Sequence, residues 1–128
     1  IAVWPGSDHN TRDITRFIAR ESRSFVVSVS ALMRKTDFPK GTPYLDELMD
    51  RAPEVLTDGG SCVAGPDGEW ILPPVLHTEG ISYVDLDVDR GMEERQNFDP
   101  SGHYSRPDVT RLLVDRSRQS TVKFDPPS

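Results

Sequence analysis

The chain has 128 residues, with 15 basic and 21 acidic side chains, a net charge of −6, 35% hydrophobic residues and 11 prolines. That length is one domain's worth and can bury a moderate core, and the acidic balance excludes a phosphate-tracking nucleic-acid surface. No run reaches the length of a membrane span, and one cysteine excludes an intrachain disulfide or a cysteine-based zinc site and points to a reducing cytoplasm.

Ile1–Trp4 is a short apolar run stopped by Pro5-Gly6, which reads as a buried strand ending in a turn. Asn10 is placed to cap the next helix, in which Ile14, Phe17, Ile18 and Glu21 fall at helical spacing while Arg12, Arg16 and Arg20 face solvent. Residues 24–31 alternate as a β-branched strand, with Phe25, Val27, Val29 and Ala31 on one side and Val26, Ser28 and Ser30 on the other. Helix followed by strand implies a parallel crossover back to the first strand, the βαβ grammar of an α/β sheet. From Met33 to Thr57 the prolines and Gly41 predict a long loop with one short helix near residues 45–50. Pro66-Asp67-Gly68 predicts a hairpin between residues 61–64 and 69–72. Residues 80–88 alternate as a further strand, followed by a short helix from Asp89 to about Asn97 and a tail-like stretch after Pro100.

Cys62 lies inside a hairpin strand with no His or Lys beside it in sequence, so it reads as a buried structural thiol, not a nucleophile. Asp85-Leu86-Asp87-Val88-Asp89 opens like a calcium loop. Arg90 stands where that loop needs its turn glycine and Gln96 where it needs a bidentate Glu, so no calcium site is expected. His9, His77 and His103 lack metal-ligand spacing, and no metal is expected. Trp4, at the tip of a parallel strand, is either a flat ligand wall or a core tryptophan. Ser30 and Ala31 end the neighbouring strand on the same side and are weaker pocket residues.

Four segments, in order, resemble the nitrilase branch of the carbon–nitrogen hydrolase family: Trp4-Pro5-Gly6; Asn10–Ile14 running into Phe25-Val26-Val27; Gly59-Gly60-Ser61 with Gly65–Gly68; and the run from Asn97 through His103-Tyr104-Ser105-Arg106-Pro107-Asp108 to Val109. The resemblance runs from Ile1 to about Val114 and implies the C-terminal portion of a four-layer αββα sandwich. It implies hydrolysis of nitriles to carboxylic acid and ammonia by a cysteine thiolate, assisted by a Glu and a Lys, with no metal or organic cofactor. In that alignment all three catalytic residues precede Ile1, so none is assigned here. Lys35, Lys40, Glu47, Glu54, Glu93 and Glu94 are out of position. The strand end at Trp4, with Ser30 and Ala31 beside it, would lie against the substrate pocket. Residues 98–114 would form an assembly and docking tail carrying His103, Tyr104, Arg106 and Asp108, with 115–128 a flexible extension.

The absence of Met at position 1 adds to the expectation of a truncated, processed or split enzyme. Its partners would be a missing N-terminal part, further copies in a dimer or spiral, and a small nitrile. The alternative is a non-catalytic fold or assembly module that binds a partner chain or itself.

Overall fold

A computed structural model describes residues 1–117, 120 and 122. The elements are β1 (Ala2–Trp4), α1 (Asp8–Ser22), β2 (Val26–Ser30), β3 (Leu32–Arg34), α2 (Leu45–Arg51), β4 (Val55–Ala64), β5 (Trp70–Leu76) and α3 (Val88–Asn97). They form a mixed α/β fold. β1 pairs parallel to β2 and α1 makes the crossover, as the βαβ pattern predicts. β4 is the long central strand. One of its edges takes β2 and then β3, both antiparallel, and the other takes β5. The turn at residues 65–68 closes the β4–β5 hairpin through the Gly68 N–H to Gly65 O bond at 2.8 Å.

Several boundaries differ from the sequence reading, each for a physical reason. The helix begins at Asp8, so Asn10 lies inside it, past the cap position. Ser7 occupies the cap position, but its hydroxyl meets His9 Nδ1 at 3.1 Å and does not cap the helix; the carboxylate of Asp58 on β4 accepts from the Asp8 N–H at 3.2 Å instead. A tertiary acceptor thus meets a donor that helix geometry leaves unpaired. Residues 33–34 and 55–57, expected as the two ends of a long loop, are strand and pair with each other as β3 on β4. Residues 80–87 form no strand. The exposed edge nearest in sequence is β5, where Pro73 and Pro74 lack N–H donors, so a ladder cannot continue there. Asp87 caps α3 instead, accepting from the Asp89 N–H at 3.1 Å.

The buried stripe of α1 is also rotated from the expected one. Thr11, Thr15 and Ala19 are fully buried, whereas Ile14 and Phe17 are exposed. Small side chains let the helix sit close on the sheet, and Gly60 makes that approach possible. Its φ is +103°, and a Cβ there would lie 3.0 Å from Thr11 Oγ1. Ala19, Val26 and Ala64 form the apolar core, with Ile18 and Trp70 packed against it. The expected C-terminal extension reaches residues 118, 119, 121 and 123–128, which lie outside the described residues.

Candidate functional site

Alternation along the strands gives the sheet two unlike faces. Toward α1 point Val26, Ser28 and Cys62, together with Trp4. A hydrogen-bond chain links Trp4, Ser28 and Cys62 through Thr15 of α1. The Trp4 indole donates to Ser28 Oγ at 3.1 Å, Ser28 Oγ and Thr15 Oγ1 share a bond at 2.6 Å, and the Cys62 thiol reaches Thr15 Oγ1 at 3.7 Å. Thr11 Oγ1 donates to Gly60 O at 3.0 Å. The layer between helix and sheet is therefore polar and closed, with the hydroxyls of Thr11, Thr15 and Ser28 each satisfied by a neighbour, while the buried Ser30 Oγ has no partner.

Cys62 is 1% exposed in this layer. Burial raises its thiol pKa above the ordinary value, and the hydroxyls of Thr15, Thr11 and Ser28 offset part of that shift. A thiol kept protonated and shielded from solvent is a poor nucleophile and a good filler of a tight layer.

Beside this layer, at the end of β2, an open cleft of about 460 Å³ is lined by Ser30, Leu32, Gly59, Ser61, Val75 and residues 78–82. Ser61 fixes the end of β2 from its side chain, accepting from the Ser30 N–H at 3.0 Å and donating to Ser30 O at 3.1 Å. Two consecutive left-handed glycines, Gly59 and Gly60, precede it. The register of β4 shifts there, which frees Ser61 to make this contact. Of the three pocket residues expected from sequence, Ser30 lines the cleft. Trp4 is its register partner on β1 but is tied to Ser28 and lies outside the lining. Ala31 is exposed, and its carbonyl accepts from Thr57 Oγ1 at 2.9 Å. Sequence reasoning missed Ser61, Val75 and residues 78–82. The doubled glycine before Ser61 was the one local signal available.

The tail residues cluster among themselves. Phe98 and Tyr104 have ring centroids 5.1 Å apart, His103 meets Tyr104 edge-on at 5.2 Å, and the Arg23 guanidinium lies 5.9 Å from the Phe98 ring. Arg106 grips Asp108 through two bonds of 2.7 and 2.6 Å. That bond raises the Arg106 pKa and lowers the Asp108 pKa. Both side chains are exposed, so the pair shapes the local turn more than it stabilises the fold. Among the described residues no group of His, Cys, Asp and Glu could hold a metal ion, and no helix is long and apolar enough to cross a membrane.

No family model matches the chain. Individual relatives do. The chain is 36% identical to an aliphatic nitrilase of Sinorhizobium fredii (strain HH103), over 84% of its own length and 34% of that protein. It is 36% identical to nitrilase 2 of Arabidopsis thaliana, over 84% of its length and 32% of the relative. It is also 36% identical to an arylacetonitrilase of Aspergillus kawachii (strain NBRC 4308), over 96% of its length and 40% of the relative. The chain thus spans about a third of the length of the curated relatives it matches.

Proposed function

Because this chain belongs to the nitrilase family, we propose that it is the C-terminal portion of a hydrolase that converts nitriles to carboxylic acid and ammonia. The nucleophilic cysteine and its Glu and Lys partners would come from a preceding part of the same enzyme. The observation that carries this reading is the placement of Cys62, buried beneath α1 and outside the lining of the cleft. A thiol there cannot reach a ligand in the cleft, so a catalytic thiolate would have to come from elsewhere.

In this scheme the thiolate adds to the nitrile carbon and the nitrogen takes up a proton, giving a thioimidate. One water then releases ammonia and leaves a thioester, and a second water releases the acid and restores the thiol. The present residues would contribute a wall. Hydroxyls and aliphatic carbons line the cleft, and Glu79 is the charged group among them, which suits a small uncharged ligand over an anion. Ser30 would border the substrate with its hydroxyl buried behind the wall, and Trp4 would brace the strand end through Ser28. The uncovered sheet face would be the inner face of the four-layer sandwich, and residues 98–114 would serve assembly into a dimer or spiral in the cytoplasm.

The test is ammonia release from aliphatic and aromatic nitriles, by the 128-residue chain and by the longer protein proposed to contain it. The chain alone is expected to release none above background and the longer protein to turn over. Release by the chain alone that vanished in Cys62→Ala would restore Cys62 as the nucleophile and overturn the proposal.

A further inference from the structure

Beyond β5 the chain passes along the cleft without joining the sheet. The His77 N–H makes a ladder bond at the end of β5, to Asp58 O at 2.8 Å, from a left-handed backbone at φ 56°. From Glu79 to Asp87 no residue is in a helix or strand. Residues 78–82 nevertheless form one wall of the cleft. Apolar packing does not hold that wall in place, because Ile81 and Tyr83 are 80% and 87% exposed and a Cβ on Gly80 would touch nothing within 4 Å.

Charges hold it instead. Near its start, Glu79 is ion-paired with Arg34 on β3. At its far end, α3 has no buried residue and is tied down by Arg90 to Asp67 on the hairpin turn and by Glu94 to Arg23 after α1. The wall is therefore a span of irregular chain fastened at both ends by ion pairs, with the cleft beneath its first half.

We propose that residues 78–87 are a strap over the cleft, anchored at its far end by α3, and that the Glu79–Arg34 ion pair sets how far the cleft opens. The proposal concerns access and stands whether or not a nitrile is the ligand. An exposed ion pair contributes modestly and is screened by salt, so the expected gate is a few-fold effect that weakens with ionic strength.

The test places a thiol on the cleft floor with Val75→Cys and measures its rate of modification by N-ethylmaleimide, an uncharged reagent insensitive to the charge changes. The buried Cys62, measured alone in the parent chain, supplies the background. Adding Glu79→Gln is expected to raise the rate at the introduced thiol about two- to fivefold. Raising salt from about 0.05 to about 0.5 M is expected to raise that rate similarly when Glu79 is present but not in Glu79→Gln. The paired exchange Arg34→Glu with Glu79→Arg is expected to bring the rate back toward the value of Val75→Cys alone. Equal rates with and without Glu79→Gln, or no recovery in the exchanged pair, would overturn the proposal. So would a rise in Cys62 reactivity in Glu79→Gln alone, because general loosening would then explain the effect.

Discussion

Gly60 and Gly41 both hold left-handed backbone, at φ +103° and +96°, but in different surroundings. A Cβ on Gly60 meets Thr11 Oγ1 at 3.0 Å and the Asp8 backbone at 3.2 Å, whereas one on Gly41 meets nothing within 4 Å. Gly60→Ala is therefore expected to cost roughly 2–3 kcal/mol of stability and Gly41→Ala roughly 1 kcal/mol, since only the first adds a displaced helix to the backbone strain. Urea denaturation of the two variants measures the difference, and equal costs would show that α1 can give way. Cys62 supplies a pH signature. Its folded pKa lies above the ordinary thiol value of about 8.5, so the folded state holds its proton more tightly than the unfolded chain. This contribution is whole below about pH 8.5 and is lost as pH rises toward the folded pKa. Cys62→Ala is expected to flatten the alkaline fall in stability, measured as the unfolding midpoint at neutral pH and at about pH 9.5 relative to the parent. An unchanged alkaline slope would refute this.

At the scale of elements, α3 and α1 show two ways of attaching a helix. α1 docks through Thr11, Thr15 and Ala19, buried against the sheet. α3 buries nothing and depends on Arg23–Glu94 and Arg90–Asp67, with Arg95 reaching Ser24 Oγ at 3.5 Å. The Arg23 side chain is 19% exposed, and its Nε already lacks a partner. Glu94→Gln would leave that guanidinium half-buried without its countercharge, a loss of roughly 1–2 kcal/mol. The expected outcome is selective: faster amide exchange across α3 while β2 and β4 stay protected. Uniform exposure of helix and strands together would mean that α3 is part of the cooperative core. The sequence showed α3 to within one residue, although it read Asp87, the residue that caps it, as the end of a strand. It did not show how weakly the helix is held, since its ion-pair partners lie 23 and 71 positions away.

For the whole molecule, the sheet face opposite α1 is the dominant surface feature. Val3 is 80% and Val29 46% exposed on it, and Ile14 and Phe17 stand exposed on the outer side of α1. Apolar surface of this kind promotes association. The isolated chain is expected to self-associate in sedimentation, and a stable monomer with a cooperative melt would count against an uncovered inner face. In the complete enzyme proposed above, His103→Ala and Arg106→Ala are expected to reduce particle size and melting temperature before they reduce turnover per folded site. Loss of turnover at wild-type size and stability would move the tail into the active site.

The sequence alone determined the parallel βαβ start, the Pro66-Asp67-Gly68 hairpin, the position of α3 and the likeness to nitrilases. Each rests on local chemistry: alternation, a turn tripeptide, a short helical run or a linear motif. Only the tertiary structure decided which side of α1 and of β2 is buried. Alternation creates two faces without saying which one meets a partner, and the close approach at Gly60 chose the small polar stripe over Ile14 and Phe17. The same holds for the cleft. It is assembled from Ser30, Ser61 and residues 78–82, segments that come together only when β4 pairs on both edges and leaves the strap outside the sheet.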